Sequence, residues 1–278
     1  MVSHVREPVV AGAFYPADES ALRQQLSELF GGPVKRPERR LPGPVGIVAP
    51  HAGYAYSGAT AARAFAWLAA RGVPDWAIVL GANHTGWGAP ISVDTSAGWR
   101  TPLGVVRLAD AAGRLARGAL AADGRAFLRE HSVEVQLPLL QYALGQAVPF
   151  VPVCVASREM GALRDAAAQI AEEVAGQAVA LVASSDFTHY EPQQMAEEKD
   201  RRAMERILQL DVAGFLEMVR SERLSICGAG AIALLMLLGR QCGWETGTCL
   251  DYTTSGDLTG ERDAVVGYAA VGWEEADG

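Results

Sequence analysis

Three of the five histidines in this 278-residue chain occupy the same kind of position. His51, His84 and His189 each follow, within a few residues, a short apolar run that predicts a buried strand. In open α/β sheets the loops at the carboxyl ends of the strands hold the ligand-binding groups, because the sheet keeps those loops in place. A single histidine after a strand is usually a loop residue or a satisfied polar group, but three of them together favour a shared site.

A fourth histidine, His131, stands just before a predicted helix. A helix dipole disfavours the imidazolium there and lowers the pKa, which leaves a neutral ring that can accept or donate a proton. A capping or surface histidine fits the same segment equally well. The remaining histidine, His4, lies in a polar terminal segment and receives no role.

Cys227 directly precedes an apolar helical stretch, and it differs in this from the other three cysteines. Unpaired amide N–H groups and the helix dipole are expected to stabilise its thiolate, the form that binds metals. Cys154 lies inside an apolar strand and is expected to be inert packing. Cys242 and Cys249 flank a loop and lack such a setting. No CxxC spacing occurs, so reduced thiols of a cytoplasmic protein are expected.

Two imidazoles and a thiolate form a mixed nitrogen and sulfur ligand set. Such a set suits Fe, Zn or Cu and disfavours Mg or Ca. Three protein ligands leave coordination positions open, and open positions indicate a reactive centre rather than a structural metal.

The residues from Gly228 to Ala233 also match the G-x-G-x-x-A dinucleotide pattern. They lie late in the chain, outside a first βαβ unit, so nucleotide binding is not predicted.

The elements that must position these residues alternate between strand and helix. Apolar runs predict strands at 45–49, 77–80, 148–155, 179–183 and 264–271, and helical spacing predicts helices at 19–30, 58–70, 109–122, 133–144, 161–174, 193–209 and 230–241. This rhythm predicts an α/β fold with a mainly parallel central sheet covered by helices on both faces. The segment 91–106 has β-type residues with Gly and Pro, which fits a hairpin at the sheet edge. No linker interrupts the pattern, so residues 1–278 are expected to form a single domain.

Charge and hydropathy restrict the partners. The formal net charge is −8 with acidic and basic residues interspersed, which argues against nucleic acid or an anionic membrane as a partner. The segment from Met1 to Glu7 is polar, unlike a signal peptide. The longest apolar run, 229–239, is too short to span a bilayer and predicts a buried helix. We therefore expect a cytoplasmic protein that is not embedded in a membrane.

Six strings of residues together resemble the Memo family, known in prokaryotes as component B of the AmmeMemoRadiSam system. They occur in the family's order across essentially the whole chain: Val10-Ala11-Gly12-Ala13-Phe14-Tyr15-Pro16, Pro50-His51-Ala52-Gly53-Tyr54-Ala55-Tyr56-Ser57-Gly58, Gly81-Ala82-Asn83-His84, Glu130-His131-Ser132-Val133-Glu134-Val135-Gln136-Leu137-Pro138, Ser184-Ser185-Asp186-Phe187-Thr188-His189-Tyr190 and Ser225-Ile226-Cys227-Gly228. The resemblance implies a single Memo-like α/β domain similar in fold to the class III extradiol dioxygenases, which bind non-haem Fe(II) and cleave catechol-type rings with O₂.

The same resemblance implies roles for individual residues. His51 and His84 match the two histidine ligands of those dioxygenases, and Cys227 stands where they have a glutamate ligand. His189 matches their active-site base, His131 a second proton-handling histidine, and Asp186 lies close enough in sequence to orient one of these groups. A thiolate in place of a carboxylate changes the redox behaviour of bound iron and is itself oxidisable.

Three functions follow from these residues. The first is a non-haem Fe(II) redox enzyme or dioxygenase-like oxidoreductase, with copper or zinc as other metals, that acts on a small molecule or a partner protein. The second is a zinc hydrolase that uses the same pocket. The third is a non-catalytic protein whose pocket binds a peptide or a partner, AmmeMemoRadiSam proteins among them; eukaryotic members of the family are described as metal-binding redox proteins and as phosphopeptide-binding adaptors.

Overall fold

Strands and helices alternate along most of the chain. The computed structural model describes residues 4–275, and its strands are β1 (Val5–Arg6), β2 (Val45–Ala49), β3 (Trp76–Ala82), β4 (Ile91–Val93), β5 (Gly98–Thr101), β6 (Gly104–Arg107), β7 (Ala121–Ala122), β8 (Phe150–Val155), β9 (Val179–Ser184), β10 (His189–Glu191), β11 (Thr248–Thr254) and β12 (Val265–Trp273). Its helices are α1 (Glu19–Leu29), α2 (Tyr54–Arg71), α3 (Ala111–Leu115), α4 (Gln136–Leu144), α5 (Met160–Val174), α6 (Gln193–Leu208), α7 (Val212–Ser221), α8 (Ala229–Gln241) and α9 (Ser255–Thr259).

The main sheet has nine strands, and its centre is parallel. β2, β9, β3 and β8 lie side by side in that order and all pair in parallel. The outer strands are mixed, because β12 pairs antiparallel with β2 on one side and β4 pairs antiparallel with β8 on the other. The expectation of a mainly parallel sheet therefore holds for the central strands, and the flanking strands make the whole sheet mixed.

Helices cover both faces of this sheet. Alternate residues of the central strands point to opposite sides: Ile78 and Leu80 pack with α5 and α8, whereas Ala77 and Val79 pack with α2 and α4. These four strands have continuous buried runs, as expected for parallel strands covered on both faces. The apolar run 229–239 forms most of α8, which is buried as predicted.

Two stretches differ from the sequence-based expectation. The predicted helix over 109–122 is wrong beyond α3, because residues 116–120 form turns and Gly118 adopts a left-handed φ of 58° that ends the helical path. The segment 91–106 does contain the hairpin β5–β6, but this hairpin pairs with β1 in a separate three-stranded sheet, while β4 joins the main one.

The elements α7, β11 and α9 had no counterpart in the sequence-based prediction. β11 was missed because its residues are mostly exposed or half-buried and lack a continuous apolar run.

Among residues 4–275, no helix combines the length and apolar character needed to cross a lipid bilayer.

Candidate metal centre

Polar residues follow the ends of three adjacent strands at one edge of the sheet. His51 follows β2, His84 follows β3, and Asp186 follows β9, the strand between them. Because these strands are parallel, their carboxyl ends meet at the same edge. The predicted convergence of His51 and His84 is therefore confirmed, and it arises directly from the strand order.

The imidazoles of His51, His84 and His131 form a compact cluster. One nitrogen from each ring lies within 4.8 Å of the others, so the three side chains could hold a metal ion. The rings of His51 and His84 are nearly perpendicular, at 86°, with centroids 5.1 Å apart. Those of His84 and His131 are stacked, at 16° and 4.7 Å. His51 is buried, whereas 34% of the His84 side chain is exposed. The cluster is therefore accessible to solvent on the His84 side.

Hydrogen bonds fix the tautomer of His51. Ser184 Oγ donates to the carbonyl of Ser132 over 2.6 Å and accepts from Gln136 Nε2 over 2.7 Å. With its single proton used, Ser184 Oγ must accept from His51 Nδ1, which lies 3.0 Å away. The lone pair of His51 is therefore on Nε2, which faces the cluster. Burial first, and then the neighbouring His84, lower the pKa of His51 to about 3, so the ring is neutral near pH 7.

Glu130 fixes the ring of His84 in the same way. His84 Nδ1 donates to Glu130 Oε1 over 2.9 Å, so the neutral ring has its lone pair on Nε2. Burial by itself lowers the pKa of His84, but the hydrogen bond and charge of Glu130 outweigh it and raise that pKa, so a metal ion must compete with a proton at Nε2. This carboxylate is fully buried and also accepts backbone N–H groups from His84, His131 and Ser132. Burial by itself raises the pKa of Glu130, but the hydrogen bonds and charge of His84 outweigh it and lower the pKa to about 2. A carboxylate behind a histidine is the usual outer partner of a metal-binding imidazole.

The pKa of His131 is lowered, the direction expected from the sequence, but the physical cause differs. Burial and the proximity of His51 lower the pKa of His131 to about 4. The helix dipole contributes little, because α4 begins only at Gln136, more than one turn further on. The ring of His131 also contacts that of Phe14, at 4.8 Å between centroids.

Cys227 lies against this cluster, two residues before α8. Its Sγ is 3.1 Å from His51 Nε2, and the backbone N–H of Asp186 donates to it over 3.3 Å. Burial, and then the charge of Asp186, raise the pKa of Cys227 to about 12, which opposes the thiolate expected from the sequence. Since Nε2 of His51 has a lone pair, the thiol of Cys227 donates a hydrogen bond to this nitrogen. Cys154 is fully buried in β8, as predicted for inert packing.

Asp186 acts on the backbone of the His51 loop rather than on an imidazole. Its Oδ1 accepts the N–H groups of His51 over 2.7 Å and of Ala52 over 3.2 Å, and its Oδ2 is 4.0 Å from His51 Nε2. Burial raises the pKa of Asp186, which these hydrogen bonds partly counter. The orienting role expected from the sequence is therefore directed at the loop.

His189 is half-buried at the start of β10 and lies outside the compact cluster. Its Nδ1 donates to the carbonyl oxygen of Phe187 over 2.7 Å, so a neutral His189 has its lone pair on Nε2. The next residue, Tyr190, has a left-handed φ of 58° and a ring that is 78% exposed. Tyr190 coincides with a register shift in the pairing of β10 with β12, between His189 and Glu191.

Sequence reasoning missed the residues that support the histidines. Glu130, Ser184 and Gln136 are all fully buried and polar, and each binds a cluster residue or its loop. Glu130 directly precedes His131, but the histidine ring that it fixes is that of His84, 46 positions earlier in the chain. Ser184 and Gln136 had no local signal either, because their partners are distant in sequence.

Comparison with known proteins gives the family. Residues 6–272 match the family described as Memo-like protein. This chain belongs to the Memo-like family. It is 44% identical over 278 residues to a MEMO1 family protein of Methanopyrus kandleri, covering 96% of this chain and 98% of that protein. A MEMO1 family protein of Methanosarcina barkeri is 39% identical over 270 residues, covering 96% and 99%.

A solved structure also resembles this Memo-like protein in fold. It is the crystal structure of an uncharacterized protein from Escherichia coli K12, with a TM-score of 0.52, 14% sequence identity, and coverage of 84% of this chain and 99% of that one. At this identity the likeness concerns the fold alone.

Two glycines at the start of α8, Gly228 and Gly230, have a packing role. A Cβ on Gly228 would lie 2.5 Å from the carbonyl oxygen of Ser184, and one on Gly230 would lie 2.3 Å from that of Ser157. Only glycine lets the start of α8 approach the ends of the strands this closely. The apparent dinucleotide pattern is therefore explained by contact between helix and sheet.

Proposed function

We propose that this Memo-like protein is a non-haem Fe(II)-dependent oxidoreductase whose metal is bound by His51, His84 and Cys227. The observation that supports it best is the fixed tautomer of both histidines: Nδ1 of each donates to a buried partner, so Nε2 of each has its lone pair free. Two imidazole nitrogens and a thiol that loses its proton on binding form a donor set that fits iron, copper or zinc.

Ring geometry favours Cys227 over His131 as the third ligand. A metal ion lies close to the plane of each imidazole that binds it. His84 and His131 are stacked at 16°, so without rotation of one ring their planes do not meet near the cluster. By contrast, Sγ of Cys227 lies 3.1 Å from Nε2 of His51, near the separation of about 3.5 Å between sulfur and nitrogen ligands on one tetrahedral ion.

The remaining groups are suited to proton transfer. We assign His189 as a general base through its free Nε2, His131 as a second proton-handling group, and Asp186 as the residue that holds the His51 loop. Bound Fe(II) would supply redox chemistry with O₂ at the open coordination positions. His84 is exposed and His131 is half-buried, so the cluster is accessible from solvent, and the exposed ring of Tyr190 lies against His189. This accessibility supports a small organic molecule or a peptide as the ligand.

A zinc hydrolase is the second candidate, and one observation favours it. His51, His84 and His131 form a three-histidine group, the set that binds catalytic zinc in some hydrolytic enzymes. It requires rotation of His84 or His131 out of the stacked arrangement. In this case Cys227 would lie beside the metal rather than on it.

Anaerobic metal titration distinguishes these proposals. Purified, chelator-treated protein is titrated separately with Fe(II), Cu and Zn and then analysed for bound metal. We expect about one Fe(II) per chain, with the thiol proton released on binding. Tight binding of zinc with no uptake of iron or copper would support the hydrolase and overturn the oxidoreductase.

A further inference from the structure

A buried carboxylate that the proposed metal centre does not use lies behind His189. Asp200, on α6, is fully buried. Its Oδ1 accepts hydrogen bonds from the backbone N–H and the hydroxyl of Thr188, over 3.1 and 2.6 Å, and its Oδ2 accepts from the hydroxyl of Tyr252 over 2.8 Å. Within the described residues 4–275, its hydrogen-bond partners are all neutral.

Burial of such a carboxylate destabilises the folded protein. Burial raises the pKa of Asp200 to about 6, although hydrogen bonds from Thr188 and Tyr252 oppose it. A buried charge without a cation lowers the free energy of unfolding, whereas a neutral side chain of similar size would fill the same space without that loss. Gly267 makes room for it, because a Cβ at that position would lie 2.0 Å from Asp200 Oδ2.

The hydrogen bonds of Asp200 lead to His189 through a single peptide unit. The Thr188 N–H and the Phe187 carbonyl belong to the same planar trans peptide, so they point in opposite directions. Asp200 accepts from the N–H on one side, and His189 Nδ1 donates to the carbonyl oxygen on the other. A hydrogen bond at one end of a peptide polarises it and strengthens the bond at the other end.

We propose that Asp200 is a positioning residue for His189 and acts through the peptide between Phe187 and Thr188. The carboxylate fixes the orientation of that peptide, the peptide carbonyl holds the proton of His189 on Nδ1, and the lone pair on Nε2 is thereby kept available. The inference rests on the proposed role of His189 in proton transfer. It gives a function to a buried carboxylate whose hydrogen-bond donors, among residues 4–275, are all neutral.

The tautomer of His189 tests this proposal without any assay of activity. Full-length, chelator-treated protein labelled with ¹⁵N in its five histidines is examined by NMR at alkaline pH, and the signal of His189 is assigned by its loss in His189→Asn. In the wild type we expect the Nδ1–H tautomer. In Asp200→Leu the tautomer ratio should shift toward that of free imidazole, whereas Asp200→Asn, which keeps an oxygen acceptor, should retain most of the Nδ1–H form.

Tyr252→Phe is the matched control, because it removes a hydrogen bond from the other oxygen of the same carboxylate and leaves the peptide contact intact. It should not change the tautomer of His189. If Asp200→Leu does not fold, the smaller substitution Asp200→Ala replaces it, since it also removes both oxygens that accept from Thr188.

Two results would overturn the positioning role. One is a His189 tautomer that is unchanged in the Asp200→Leu or Asp200→Ala protein, and the other is an equal shift in Tyr252→Phe. Either leaves the proposed role of His189 intact, because that role is tested separately by the metal content and turnover of His189→Ala.

Discussion

Sγ of Cys227 and Nε2 of His51 face each other across 3.1 Å, although 176 positions separate the two residues in the chain. His51 Nε2 has no proton, since Nδ1 of the same ring donates to Ser184. The contact is therefore a thiol donating to a neutral imidazole. A cation that replaces this proton would be held by both atoms at once, which is the basis of the first prediction.

Replacement of Cys227 by serine should weaken Fe(II) binding by more than about 100-fold, because it removes a proposed ligand rather than an outer partner. Cys242→Ser is the matched control, and Cys154→Ser should also leave the affinity unchanged, since its thiol is enclosed in β8. The affinities are measured by anaerobic titration. Equal affinity in all three variants would remove Cys227 from the metal site.

The histidines should separate into two classes. His51→Ala and His84→Ala should lose the metal, whereas His189→Ala should retain it and reduce turnover by about 10²–10⁴-fold, the usual contribution of a general base. Metal content and thermal melting are measured for each variant, and O₂ uptake once a substrate is known. Complete loss of metal in His189→Ala would make His189 a ligand and contradict this division.

Glu130 should support metal binding without touching the ion. Glu130→Gln removes the charge that holds the Nδ1 proton of His84, so metal affinity should fall by about 10–100-fold. Asp123→Asn, which affects an ion pair with the exposed Arg125 near the same segment, is a suitable control. An affinity equal to that of the wild type would show that the hydrogen bond to Glu130 serves folding alone.

The buried ion pair of Arg6 and Glu134 should stabilise the protein strongly. Glu134 accepts from Arg6 over 2.7 Å, from the hydroxyl of Tyr15 and from the backbone of Val9, so it fastens the N-terminal segment to the site. Glu134→Ala leaves the Arg6 charge without its partner and should cost about 3–5 kcal/mol of unfolding free energy.

The exposed pair of Glu19 and Arg23 is the control for that measurement. Glu19→Ala should change the unfolding free energy by less than about 0.5 kcal/mol. Urea unfolding of both variants gives the comparison. A loss below about 1 kcal/mol in Glu134→Ala would contradict a strong role for the buried pair.

Asp200 should impose a pH dependence on stability. Its pKa is raised from 3.8 to about 6 in the folded protein, mainly by burial. Its contribution is therefore complete below about pH 4 and is lost as the pH rises through about 6, because the buried carboxylate then ionises. Relative to Asp200→Asn, which does not titrate, the wild type should lose up to about 3 kcal/mol across this range. Urea unfolding of both proteins at several pH values measures it, and a constant difference would refute it.

Local hydropathy determined the framework by itself. Parallel strands that are buried on both faces consist of continuous apolar runs. Such runs can be recognised in the sequence directly before the loops of His51, His84 and His189. The strand ends then bring His51 and His84 to one edge whatever the details of packing. The family strings added the expectation that Cys227 joins them, and the structure brings it against His51.

Only the tertiary structure decided which groups control the chemistry of these residues. Glu130 behind His84, Ser184 behind His51, and Asp200 behind the His189 turn lie 46, 133 and 12 positions from their partners. The neutral thiol of Cys227 likewise reflects burial and the charge of Asp186, which outweigh the local helix terminus. Protonation and tautomers depend on the charges and hydrogen-bond partners that surround a group in space, and the chain order does not specify those.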